Sequence, residues 1–324
     1  MSGKKKIRKR IVIGAVICMV IFLIGGLFWG GSYLVKFAIG RTAAAPGSGK
    51  SEKAAHSIVQ DLHRLGRQAR DWVEGSEVEE VRILSYDGLK LYGEAVVTDS
   101  ASHKWVIAAH GYGGSHSSMT VLASWYGVQG YNALLPDLRA WGDSEGDYIG
   151  MGWLDRKDML RWIDWITSRD SEAQIVLHGV SMGGATVMMT AGEELPVQVK
   201  AIVEDCGYTS VWDIFADELD DMFHLPPFPF LYIGSGISLL QAGYSFSEAS
   251  SVRQVARAHV PILFIHGAND DFVRTDMVYR VYDACSSEKK LFVVKGAGHA
   301  DSFNRSPQTY FETVFDFLAD YMEE

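Results

Sequence analysis

Hydrophobic and polar positions divide the chain into three regimes. Residues 11–35 (IVIGAVICMVIFLIGGLFWGGSYLV) carry no charge. As a helix rising about 1.5 Å per residue, such a run extends about 37 Å, enough to cross a hydrocarbon layer of about 30 Å with some tilt. It exceeds the roughly 7–15 apolar residues of a cleavable secretory signal, although Ala43-Ala44-Ala45 offers a cleavage-like sequence. Residues 41–51 (RTAAAPGSGKS) are small and flexible and read as a linker. Ile58, Leu62, Leu65, Ala69 and Trp72 then recur at the three- and four-residue spacings of an amphipathic helix. Its apolar stripe is expected to pack on the body that follows or, in the alternative, to lie on the membrane surface.

From residue 81 the period changes. Apolar strand-like runs are expected at 81–85, 89–97, 104–109, 131–136, 173–178, 199–204, 261–266 and 290–295. Helical periodicity follows at about 116–128, 152–168, 182–194, 275–285 and 304–322. Short all-apolar strands such as WVIAA and PILFI, each leading to a helix, predict a mostly parallel eight-stranded α/β sheet covered on both faces. Tyr86-Asp87-Gly88 joins the first two strands as a hairpin turn, so the sheet begins antiparallel. Between about 207 and 258 the rhythm breaks in a segment rich in aromatics and proline, which predicts a helical cap inserted into the 81–324 domain.

Charge sharpens this picture. Residues 1–10 hold six of the 30 Lys and Arg, leaving 24 basic against 40 acidic groups in the rest. So acidic a body repels polyanions, which argues against nucleic acid as a partner. The basic cluster stands directly before the uncharged run and predicts a single-pass anchor in the cell membrane, with the N-terminus cytoplasmic and the body outside. Cys18, Cys206 and Cys285 make no disulfide framework, and no zinc-ligand spacing occurs, so no metal is expected. Gly49-Lys50-Ser51 mimics the end of a phosphate-binding loop, but Ala44 stands where the first glycine belongs.

The strongest chemical signal is Gly179-Val180-Ser181-Met182-Gly183, directly after the strand QIVLH and opening a helix. A G-x-S-x-G sequence at that junction is a nucleophile elbow, with glycines giving room to a crowded turn. A serine hydroxyl needs a base, and the base an orienting carboxylate. Of the histidines after Ser181, His299 stands in a loop behind the last strand and is the best placed base. His224 and His259 lie in or beside the insertion, and His266 ends a strand. The loop after the preceding strand offers both Asp270 and Asp271 as the acid.

These segments resemble the α/β-hydrolase superfamily of serine enzymes. His266-Gly267-Ala268-Asn269-Asp270-Asp271-Phe272-Val273 is similar to that superfamily's acid loop, in which Asp270 takes the catalytic place. WVIAAHGYGGS (105–115) resembles its oxyanion loop, which implies the backbone N–H groups of Tyr112 and Met182 as the oxyanion hole and His110 as a structural residue. Asp137 to Gly146 resembles the D-x-R-G-x-G-x-S-x-G loop, with Ala140 and Trp141 in place of the usual glycine and histidine. Together with the expected anchor, 203–215 and 224–232 look most like bacterial membrane-bound cell-surface hydrolases. The resemblance implies an α/β-hydrolase fold and a carboxylesterase acting through Ser181, His299 and Asp270 on a small-molecule or lipid-like ester, without cofactor. A peptidase, an acyltransferase or thioesterase on the same triad, and a non-catalytic surface-binding module are the alternatives. Trp212, Phe215, Phe223, Phe228, Phe230 and Tyr232 either line an apolar lid over Ser181 or form the cap's own core.

Overall fold

The computed structural model describes residues 2–41 and 66–322, without the side chains of residues 2–7, 10–12, 20, 21, 23 and 24. The linker beyond Arg41, Ala43 to Ala45, the Gly49-Lys50-Ser51 sequence, and Ile58, Leu62 and Leu65 lie outside the described residues.

Eight strands form one sheet: β1 (Glu77–Leu84), β2 (Lys90–Val97), β3 (Lys104–Ala109), β4 (Asn132–Pro136), β5 (Gln174–Val180), β6 (Val199–Asp205), β7 (Ile262–Gly267) and β8 (Lys289–Val294). Their spatial order is β1-β2-β4-β3-β5-β6-β7-β8. Strand β2 runs antiparallel to both its neighbours, and every other pairing is parallel. Alternation of side chains explains why the central strands are apolar throughout. Ile107, Leu134, Leu177, Ile202 and Phe264 face one layer, while their neighbours Val106, Leu135, Val176, Val203 and Leu263 face the other.

The first layer contains α4 (Asp155–Thr167), α5 (Met182–Thr190) and α9 (Asp276–Ala284), through Trp162, Met188 and Val281 among others. The second is built on α3 (Thr120–Val128) and α11 (Pro307–Leu318), with Tyr126, Tyr310 and Phe311 buried. The described part of the expected amphipathic helix, α2 (residues 66–74), joins this second layer. Its Trp72 donates from Nε1 to Thr98 Oγ1 at 2.8 Å and lies where a side chain on Gly127 would stand. The insertion between β6 and β7 holds α6 (Val211–Phe223), α7 (Pro227–Gln241) and α8 (Ser251–Val255). The short α10 (Ser302–Arg305) precedes α11.

The N-terminal helix α1 (Ser2–Ile39) departs from expectation. Among the described residues, no helix is long and apolar enough to cross a membrane. The last turn of the expected span over 11–35 is instead packed on the body. Val35 and Ile39 are buried in the same layer as α4, and Gly31 sits so close to Ile237 of α7 that a Cβ there would lie 2.3 Å from its Cδ1. The chain then continues as part of the body, with Ile149 N–H donating to the Ile39 carbonyl at 2.7 Å.

Candidate active site

Strand β5 ends at Val180 and α5 begins at Met182, so the turn between them must be made by one residue, Ser181. It adopts φ 58° and ψ −115°, a left-handed conformation that is strained for any residue with a Cβ. The turn is held from below by Ser181 N–H donating to the Asp205 carbonyl at 2.8 Å. Both flanking glycines are required by contact with backbone. A Cβ on Gly179 would lie 2.0 Å from the Gly183 carbonyl oxygen, and one on Gly183 would lie 2.0 Å from that of Ala109. The strain lifts the serine hydroxyl out of the sheet, at the amino end of a helix whose first N–H groups lack intrahelical partners.

His299 reaches Ser181 from the loop behind β8. The Ser181 Oγ to His299 Nε2 distance is 2.8 Å, and His299 Nδ1 lies 2.9 Å from Asp270 Oδ2. Asp270 is fixed through its other oxygen, which accepts from the backbone N–H groups of Phe272 (3.1 Å) and Val273 (2.9 Å). Burial alone would raise the Asp270 carboxyl, but hydrogen bonds from His266 and His299 outweigh it and hold the group below the ordinary carboxylate range. Asp271, the other candidate acid, points to solvent. The Phe272 ring stands against the imidazole of His299, with centroids 4.8 Å apart.

Tyr112 and Met182, the expected oxyanion-hole residues, both line the cavity that contains Ser181. A Cβ on Gly111 would be 3.3 Å from the Ser181 Cβ, so this loop runs directly beside Ser181. His110 is buried. Its Nε2 accepts from Leu138 N–H at 3.0 Å, tying the loop to the Asp137–Gly146 segment, and burial pushes its pKa down. In that segment Ala140 adopts φ 64° at the position usually held by glycine, and Trp141 packs edge-on against Tyr112 with centroids 5.1 Å apart. Arg139 is forked onto Asp158 at 2.7 and 2.8 Å and onto Asp87 at 3.0 and 3.2 Å, which fixes the segment to α4 and the first hairpin.

Sequence reasoning missed one contact at the site. His266 Nε2 donates to the Val273 carbonyl at 2.8 Å and lies 3.3 Å from Asp270 Oδ2. The signal was present as the four-residue spacing of His266 and Asp270 across a tight loop. Behind it, burial pushes Glu204 up to about 8 and Asp205 up to about 6. Cys206 completes a close trio with Asp270 and His299, their ligand atoms lying within 4.8 Å of one another. Burial raises the Cys206 thiol well above its ordinary range. The other histidines are elsewhere: His224 caps α6 in a left-handed conformation, and His259 is exposed.

The cap aromatics divide between the two expected roles. Phe215, Phe223 and Phe230 line the Ser181 cavity. Trp212 and Phe228 instead pack on Tyr232, at 4.8 and 5.8 Å between centroids. Among the described residues, Glu218 is the one carboxylate in the cavity wall, and burial together with Asp221 and Asp217 pushes it up to about 7.

A sequence profile described as the prolyl oligopeptidase family matches residues 119–324. YqkD of Bacillus subtilis, described as uncharacterized, is 27% identical over 190 residues, 58% of this chain and 62% of YqkD, so the chain spans about three fifths of that relative. YfhR of Escherichia coli K12, described in the same word, is 27% identical over 247 residues, covering 74% of this chain and 80% of YfhR. An esterase of Pyrococcus furiosus superposes with a TM-score of 0.64 at 24% identity, over 76% of this chain and 92% of that one. At that identity the likeness speaks for an α/β-hydrolase fold alone.

Proposed function

The chain belongs to the prolyl oligopeptidase family of α/β hydrolases, and from that premise we propose that it is a serine hydrolase, specifically a carboxylesterase. The observation that carries this reading is the line of contacts from Ser181 Oγ to His299 Nε2 (2.8 Å) and from His299 Nδ1 to Asp270 Oδ2 (2.9 Å). In the mechanism, Ser181 Oγ attacks the ester carbonyl while its proton passes to His299 Nε2. Asp270 keeps the Nδ1 proton in place and stabilises the imidazolium that forms. The carbonyl oxygen becomes an oxyanion that accepts from the N–H groups of Tyr112 and Met182. His299 then returns the proton to the departing alcohol, leaving Ser181 acylated. Water attacks the acyl group with His299 as base, releasing the acid and restoring the serine. No step calls for a cofactor.

The family description favours a second reading, a peptidase, since the same three groups act on amides. Turnover of a matched panel of esters, thioesters and amides by the purified protein separates the two. The esterase reading expects ester hydrolysis with an initial burst of released alcohol. Faster amide than ester turnover would reassign it to peptidase, and no turnover of any substrate would leave a binding module. The same proposal attaches the chain to the cell membrane by its N-terminus, body outside. Its support is the uncharged run over 11–35 and the six basic residues before it.

A further inference from the structure

Helix α1 ends inside the body rather than beside it. Its last turns and the two residues after them are held at five points. Gln241 Nε2 donates to Ser32 Oγ at 3.0 Å, and Tyr112 Oη donates to the Ala38 carbonyl at 2.8 Å. Ile149 N–H donates to the Ile39 carbonyl, and Arg41 N–H donates to the Asp147 carbonyl at 2.9 Å. The Arg41 guanidinium donates to the carbonyls of Ser144 (2.7 Å), Gly142 and Gly146. Held in this way, Leu34, Val35, Phe37 and Ala38 form one wall of the cavity in which Ser181 lies. The opposing wall comes from the cap, with Phe215, Leu219 and Phe223 of α6 and Phe230 and Leu231 of α7.

The chemistry of this cavity is one-sided. Among the described residues, the polar side chains in its wall apart from Ser181 and Glu218 are the hydroxyls of Tyr112 and Tyr208, and both donate to backbone carbonyls, of Ala38 (2.8 Å) and of Met151 (3.1 Å). A peptide or sugar placed here would leave its own N–H, C=O or O–H groups without partners, a cost of about 1–3 kcal/mol for each. A hydrocarbon chain has none to satisfy and gains from every methylene buried.

We propose that the end of α1 is the specificity wall of an acyl-chain site, and that the substrates are esters of straight aliphatic acids whose chain lies between α1 and the cap. This rests on the esterase reading of Ser181 and adds the substrate class to it. Each methylene buried in the site raises kcat/KM by about four-fold, until the chain outgrows the space between Ala38 and Phe223.

The test uses the full-length protein in detergent micelles and p-nitrophenyl esters from acetate to dodecanoate. Wild type is expected to favour octanoate over acetate by at least tenfold. Ala38→Phe, which fills the wall, is expected to lower that ratio by about tenfold or more. Leu34→Ala, which enlarges it, is expected to move the preferred chain to a longer acid. Thermal melting of both variants establishes that they fold, and either one alone suffices to read the wall. Tyr33→Ala, on the exposed side of α1, serves as the control with an unchanged profile. A chain-length profile identical in wild type, Ala38→Phe and Leu34→Ala overturns the acyl site while leaving an active esterase. Absence of hydrolysis with every ester, in protein that no fluorophosphonate labels, overturns the esterase reading itself and this inference with it.

Discussion

At Ser181, the backbone conformation presents the hydroxyl that the proposed mechanism uses. A residue with φ 58° between strand and helix is tolerated because Gly179 and Gly183 on either side can touch backbone. This was legible in the sequence, since the glycine spacing and the strand-to-helix change are both local. The choice between Asp270 and Asp271 was less so, because two adjacent carboxylates differ only in which way the loop turns them. Ser181→Ala, His299→Ala and Asp270→Ala are each expected to lower ester turnover by roughly 10³–10⁶-fold in folded protein, with the double variant Ser181→Ala/His299→Ala little worse than the poorer single. Asp271→Ala should keep most activity; stopped-flow or steady-state rates read both, and a collapse in Asp271→Ala with an active Asp270→Ala would exchange the roles.

The buried acids beneath the site were not legible at all, because they become acids of interest only when the fold removes water from them. Glu204 is fully buried, with Oε1 unpartnered and Oε2 accepting from Gly207 N–H at 3.0 Å. Its carboxyl stands at about 8 when folded, against about 4.3 for an unfolded glutamate. The folded state therefore keeps a proton that the unfolded chain has released, and stability falls as pH rises from about 4.3 to about 8. Melting temperatures between pH 5 and pH 8 should decline, and Glu204→Gln should make the decline shallower. An unchanged slope in that variant would show that Glu204 is ionised in the folded protein.

At the scale of elements, strands were read to within a few residues wherever both faces are buried, since apolar runs such as those of β3, β5 and β7 leave little else for the chain to form. The docking of α1 was hidden for the opposite reason. Gly31, Val35 and Ile39 recur every four residues and share the buried face, but in a run that is apolar on every side this stripe has no contrast. The Asp137–Gly146 segment shows how loops are fixed when they have no regular hydrogen bonding of their own. Arg139, 3% exposed, meets an equally buried Asp158. Removing one partner leaves the other charge buried alone, so Arg139→Ala is expected to destabilise the fold by about 3–5 kcal/mol in urea titration. A loss below about 1 kcal/mol would mean that the pair is replaced by water.

For the whole molecule, the arrangement joins an acidic catalytic body to a basic N-terminus through a helix that also reaches the cavity. The proposed orientation at the membrane has a direct consequence. Protease added to intact cells or right-side-out spheroplasts is expected to degrade the 81–324 body, and protection of the body until the membrane is opened would reverse the orientation. The central claim, however, concerns Ser181 and its two partners. It is tested most directly by treating the full-length protein with a fluorophosphonate and mapping the adduct by mass spectrometry. The expected result is one adduct per chain, on Ser181, lost in Ser181→Ala and formed far more slowly in His299→Ala. A folded protein that takes no label, or takes it equally well in Ser181→Ala, would contradict the account.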